Sequence, residues 1–225
     1  MKILAMVTMA ATATAWAGET GAALERKVAV YMDPNGYGME IRAAQRLASK
    51  TTGQKITVYL RNEASVPSPI LARARTLASE MFAGVGVQID WRPGQRADSE
   101  LLRERAIAVC LTLDTSSELR TTVGAFATPS EGLHITVLYQ HLAWSLAKPG
   151  LAPALLAHVL VHEITHLLEG IARHSESGIM KANWTSSDYY DMQTKTLPFA
   201  SEDVELIHLG LAQRRPGNGK INFEK

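Results

Sequence analysis

Apolar and polar positions change period along this chain, and each change marks an element. Lys55 to Arg61 alternates through Ile56, Val58 and Leu60, as a strand with one buried face does. Ser68 to Phe82 shifts to a helical period: Ile70, Ala74, Leu77 and Met81 share a face, Ser68 is a candidate cap, Pro69 suits the first turn, and Gly84 and Gly86 supply the stop. Val87 to Trp91 and Ile107 to Leu113 read as strands, the second so continuously apolar that burial on both faces is expected. Thr121 to Ala127 and Leu133 to Tyr139 flank a Pro129-Ser130-Glu131-Gly132 turn and predict a strand pair. A helix from about Pro153 to Leu168, ended by Gly170, and a last helix from Ser201 to about Arg214 complete the pattern. That last helix lacks the glutamate of a capping box on Ser201, but Glu202, Asp203 and Glu205 suit its positive end and Arg214 and Arg215 its negative one. Upstream, Val28 to Met32 is a short strand candidate and Met39 to Lys50 carries helical spacing at Ile41, Ala44 and Leu47. The order predicts an α+β fold, with α/β as the alternative layout: helices packed on a small twisted mixed sheet.

The first residues follow a different logic. Lys2 is a short positive region, Ile3 to Ala15 is mostly apolar, and Ala15-Trp16-Ala17 places small residues where a signal peptidase cuts. The uncharged stretch from Ile3 to Gly18 is 16 residues, shorter than the roughly 18 to 20 a membrane span needs. Residues 1–17 are therefore expected to be a cleaved signal peptide, 18–54 a lead-in with the short strand and helix, and 55–225 the catalytic domain. The expected location is the periplasm or the exterior, with no membrane attachment after cleavage.

Composition narrows the function classes. With 225 residues, of which 46% are apolar and 20% charged, the chain can bury a core without cross-links. Cys110 is the only cysteine, so neither a disulfide framework nor a cysteine-rich zinc knot is possible, and its place in an apolar run makes it a small core residue rather than a reactive thiol or a cysteine switch. A net charge of +1, falling to zero without residues 1–17, gives no field to attract nucleic acid.

The chemistry lies in His162-Glu163-Ile164-Thr165-His166, inside the helix from Pro153. Four residues advance a helix by about 400°, so the two imidazoles project from one face, one turn apart, and can grip one ion. Glu163 projects about 100° from His162, near enough to reach a ligand of the ion without being one. The competing reading is a partly exposed helix whose histidines are merely polar. Gly170 then allows a left-handed reversal, and His174, four residues on, is positioned to be a third ligand. Three protein ligands leave one tetrahedral position for water, the open geometry of a catalytic zinc.

These residues, with Ser177-Gly178-Ile179-Met180 after them, resemble the metzincin clan of zinc endopeptidases, and especially exported bacterial proteins with metzincin-like sites. The likeness covers about residues 153 to 184. The chain departs from the clan pattern by one residue in each gap, with three residues rather than two between His166 and Gly170 and between Gly170 and His174. The resemblance implies a zincin-like domain with Met180 as an apolar floor beneath the imidazoles, and makes the strand through Gly124-Ala125-Phe126-Ala127 the edge beside the cleft, where an extended peptide adds as a further strand.

The expected function is hydrolysis of peptide bonds by a zinc-bound water, its pKa lowered to about 7, with Glu163 as general base and His162, His166 and His174 as ligands. A peptide or protein is the expected partner. The alternatives are a zinc-stabilised protein that binds peptide without cutting it, or a zinc hydrolase of a non-peptide amide or ester. An intact Glu163 favours catalysis, since a structural staple has no use for a base. Glu169 is an alternative ligand to His174. His158 lies too far along the helix from His166 to share the ion and is expected to be packed. Surface positions are expected for His134, His141 and His208. Tyr189 and Tyr190 both follow the Met-turn, where some metzincins place a tyrosine over the metal, and Asp188 and Asp191 are expected to be solvated loop residues.

Overall fold

The computed structural model describes residues 54–113, 125–127, 133–148 and 150–214. Among these, β1 (Gln54–Asn62), β2 (Val87–Pro93), β3 (Ile107–Thr112), β4 (Ala125–Ala127) and β5 (His134–Leu138) form one sheet in the order β2-β1-β3-β5-β4. The first four neighbours run parallel, and β4 closes the edge antiparallel to β5. The sheet is mixed, as expected, with a helix between β1 and β2 and another between β2 and β3. The expected signal peptide, the Val28 to Met32 strand, the Met39 to Lys50 helix and the start and turn of the Thr121 to Tyr139 pair lie outside the described residues.

The alternation in β1 does what its sequence says. Ile56, Val58 and Leu60 enter the main core, while Tyr59 points to the other face and packs with Leu101, Ala106 and Leu133. On the main face lie α1 (Ser68–Gly84) and the long α3 (Leu151–Glu169), packed against each other. Among the described residues, the second face is covered by the seven-residue α2 (Asp98–Glu104), whose Leu101 is buried. This corrects the expectation for β3. Ile107, Val109 and Leu111 are buried and Ala108, Cys110 and Thr112 only partly so, while Leu113 lies beyond the strand and is exposed. An apolar run thus behaves as an alternating strand, and among the described residues its second face meets only this short helix. Cys110 is accordingly not a core residue: its Sγ lies 3.4 Å from Arg61 Nη2 and 3.3 Å from Glu63 Oε2, and burial still pushes the thiol pKa up.

Ser68 does not cap α1. It is the first helical residue, Pro67 occupies the cap position, and no side chain accepts there. The last helix, α5 (Ser201–Gln213), starts behind Ala200, whose N–H donates to Asp203 Oδ2 at 3.0 Å. The capping acid is therefore Asp203, three residues from Ala200, a register the Ser201 reading misses. Three helical segments were not expected from the pattern: α2, the 3-10 stretch Tyr139–Ala147, and α4 (Ser186–Met192), which opens with a reciprocal cap between Thr185 and Asp188.

Helix α3 is the axis of the structure. Almost every residue from Leu151 to Glu169 is buried, so its apolar length serves the protein's own core although it is long enough to cross a membrane. Gly170 ends it at φ +70°, with its N–H on the His166 carbonyl. Helix α5 crosses this end at backbone contact: a Cβ on Gly210 would run into the Leu168 carbonyl oxygen, and Arg214 Nη2 caps the Leu167 carbonyl at 2.8 Å.

Candidate metal centre

His162 and His166 stand one turn apart on α3, with their Nε2 atoms 3.0 Å from each other and their ring planes 79° apart. The reversal at Gly170 carries the chain back, and His174 arrives with its ring centroid 5.3 Å from that of His162 and 5.0 Å from that of His166. One ligand nitrogen from each of the three falls within 4.8 Å of the others. A tetrahedral ion with nitrogens at 2.0–2.1 Å holds them about 3.3 Å apart, so the three rings stand close enough to share one ion.

The polar atoms agree with that use. His162 Nδ1 donates to the Ile179 carbonyl at 2.9 Å, which leaves the lone pair of Nε2 facing the cluster. His174 Nε2 is buried and has no hydrogen-bond partner among the described residues. An orphaned ring nitrogen beside two other imidazoles is costly unless something binds it. Burial, then the neighbouring imidazoles, lowers His162 to about 3, and burial and His174 lower His166 to about 4. His174 is lowered too, by burial and then by Arg173. All three are neutral at ordinary pH, the form that donates a lone pair to a cation. Glu163, the residue after His162 on the same helix, is 3% exposed. The structure thus assembles a three-histidine cluster able to hold a metal ion, from the three residues whose spacing singled them out.

The loop beneath the cluster is pinned from both sides. Ser175 N–H donates to the Met180 carbonyl at 2.8 Å and Ile179 N–H to the Pro198 carbonyl at 2.9 Å. Gly178 has φ +75° and lies where a Cβ would strike the Pro198 carbonyl oxygen, so no other residue fits that turn without displacing it. Met180 is fully buried within the main core. The contact that orients His162 comes from the backbone of Ile179, which a reading of side chains has no means to find.

The remaining candidates go elsewhere. Glu169 is not part of the cluster; it is 2% exposed near Asp203, both carboxylate oxygens lack a hydrogen-bond partner among the described residues, and burial followed by the Asp203 charge pushes it up to about 8. His158 is packed as expected: Nδ1 donates to the Ala154 carbonyl at 2.7 Å and Nε2 accepts from Leu197 N–H at 3.0 Å. His134 pairs with Asp98 at 2.9 Å, and His141 is half-buried. His208 contradicts its surface reading, being buried on the inner side of α5 close to Gly86, where a polar letter in the sequence hid an inward position. Helix α4 separates the two tyrosines: Tyr189 is buried edge-on to Trp144 with centroids 5.3 Å apart, and Tyr190 is 70% exposed. Asp188 and Asp191 are helical rather than loop residues. Lys181 and Thr185 hold Asp188, and Asp191 pairs with Lys195 at 3.3 Å. Trp184 stands edge-on to His162 at 5.7 Å. Among the described residues, strand β4 is the outer strand of the sheet and packs beside α3.

No family model matches the chain, and no curated protein matches it. Among solved structures it is similar to the archaemetzincin of Methanopyrus kandleri, at 21% identity and a TM-score of 0.46, over 70% of this chain and 96% of that one.

Proposed function

We propose that this protein is a zinc-dependent peptidase that cuts extended polypeptides, with His162, His166 and His174 as metal ligands and Glu163 as general base. The observation that carries the reading is the meeting of three neutral imidazoles from two segments, two of them buried and the third half-buried, with a buried carboxylate at the position after His162 on the same helix. Three ligands leave a tetrahedral ion one open position. Zinc held there supplies a Lewis acid that makes water acidic near neutral pH and polarises a carbonyl. Glu163 takes the proton of the attacking water and returns it to the departing amine. The Ile179 carbonyl keeps His162 in the tautomer whose Nε2 faces the cluster. Strand β4, paired on one side among the described residues, offers backbone groups to which an extended peptide can add. In this reading the protein is exported, with residues 1–17 removed, and its partner is a peptide; nucleic acid is not a proposed partner.

Metal analysis and a cleavage screen test this together. Purified protein should carry about one zinc, and a library of peptides, amides and esters should include peptides it cleaves in a chelator-sensitive way. Glu163→Gln should keep the zinc and lose at least about a hundredfold in rate, the scale of a lost general base. A zinc-loaded wild type that cuts nothing would favour a peptide-binding protein over an enzyme, and one that cuts only esters or non-peptide amides would move the substrate class.

A further inference from the structure

The three imidazoles are not held alike. His162 and His166 are fixed by a buried helix, and His162 has its Ile179 hydrogen bond as well. His174 stands in the irregular stretch between Gly170 and Gly178, and its Nε2 has no hydrogen-bond partner among the described residues. Its position must therefore be imposed through its neighbours in the chain. Those neighbours, Arg173 and Ser175, converge on one carboxylate. Asp203 Oδ1 accepts from Ser175 Oγ at 2.5 Å and from Arg173 Nη1 at 3.1 Å, while Oδ2 accepts from Ala200 N–H at 3.0 Å. Arg173 Nη2 closes the arrangement on Ser175 Oγ at 3.2 Å and on Glu202 at 2.7 Å. Asp203 is fully buried, so these bonds form where water competes little and each counts for more than on the surface.

We propose that Asp203 is the positioning residue of the third ligand: from the first turn of α5 it clamps both sequence neighbours of His174 and thereby sets where that imidazole stands. The proposal rests on the metal-centre reading above. The chemistry explains why the clamp needs an acid. Every group facing the carboxylate in these bonds is a donor, on both oxygens. An asparagine must turn its NH2 either toward Ala200 N–H or toward Arg173 and Ser175, and either choice puts donor against donor. The clamp also gives α5 a task its sequence does not advertise. Asp203 caps the helix and with the same carboxylate fastens the loop, so the start of α5 and the His174 loop are one unit, which the close crossing at Gly210 locks against α3.

The test is a double-mutant cycle read in zinc affinity, by competition with a chromophoric chelator. Asp203→Asn should weaken zinc by about 10- to 100-fold, the usual effect of removing a group that orients a ligand. In a His174→Ala background the same change should have almost no effect, because the residue it positions is gone. Ser175→Ala, which deletes a single hydroxyl, should show a smaller loss with the same dependence on His174, and it carries the cycle should Asp203→Asn fail to fold. In metal-free protein the Ser175 amide should exchange with solvent faster in Asp203→Asn while amides in the middle of α3 do not. An affinity loss of equal size with and without His174 would overturn the proposal, as would no loss at all. The metal-centre reading fails by a different sign: zinc binding that is absent in the wild type or indifferent to His162→Ala, which overturns this proposal along with it.

Discussion

Glu169 makes the shape of the stability curve of the metal-free protein predictable. Its carboxyl is buried near Asp203 and titrates at about 8 instead of its ordinary 4.5. Between those values the folded protein keeps a proton that the unfolded chain has already released, so the folded state binds more protons and stability must fall as pH rises. At about 1.4 kcal/mol per pH unit the interval sets a ceiling of about 5 kcal/mol, and relaxation around a buried charge brings the expected figure to about 2–3 kcal/mol. The histidines slope the other way. His158, His162 and His166 are lowered from 6.5 to about 4, 3 and 4, so the unfolded chain binds more protons below 6.5 and stability is lost as pH falls from 6.5 toward 4. Three such groups give a slope of about 4 kcal/mol per pH unit at full effect, which outweighs the single glutamate in that range. The wild type should therefore be most stable near pH 6.5 and decline toward pH 8. Glu169→Gln, which copies the neutral form, should match the wild type near pH 4.5, stay level above pH 6.5, and be about 2–3 kcal/mol more stable at pH 8. Urea unfolding with chelator present, at several pH values, measures both curves. Parallel curves for the two proteins, or a wild type that gains stability from pH 6.5 to 8, would refute the assignment of a neutral Glu169.

Further outcomes follow from the same contacts. Three glycine-to-alanine changes should rank by what their Cβ meets: Gly170→Ala, strained in φ but in open space, should cost about 1 kcal/mol, whereas Gly178→Ala and Gly210→Ala, which strike the Pro198 and Leu168 carbonyls, should each cost about 3 kcal/mol in urea unfolding. A neutral Gly210→Ala would contradict the close crossing of α5 over α3. Gly178→Ala should also weaken zinc, because it displaces the Ile179 carbonyl from His162, and chelator competition reads that directly. Since Trp184 stands edge-on to His162, cobalt bound at the centre should quench tryptophan fluorescence. Trp184→Phe should remove most of that quenching, and quenching that survives the change places the cobalt elsewhere.

The elements most legible in the sequence are those whose period is long or whose burial is one-sided. The strand β1 and the helices α1, α3 and α5 are of this kind, and the structure shifts their ends by a residue or two. Misread segments share a cause: their signal is not apolar spacing. The helix α2 has one buried residue to show, and α4 is declared by the pairing of Thr185 with Asp188, a cap that can be recognised but carries no apolar stripe. Cys110 and His208 fail in opposite directions. An apolar letter sits half-exposed on the face of the sheet that, among the described residues, only α2 covers, and a polar one is buried because α5 turns it inward.

The site divides along the same line. His162, His166 and Glu163 are fixed relative to each other by helical geometry, so a spacing of four residues is nearly a statement in three dimensions. His174 is different, since a chain after a glycine can go many ways, and spacing says only that it could return. What brings it back is distributed over distant positions: the Gly178 turn against Pro198, the Ser175 to Met180 hydrogen bond, and the Asp203 carboxylate 29 residues beyond His174 in the numbering. In the sequence Asp203 registers only as a charge suited to a helix start. Its second use depends on Arg173 and Ser175 arriving at the same oxygen, a long-range coincidence that no local period encodes. The three residues on either side of Gly170 deliver His174 to the two helical imidazoles, and the bond from Arg173 to Asp203 ties the loop that does so to the start of α5.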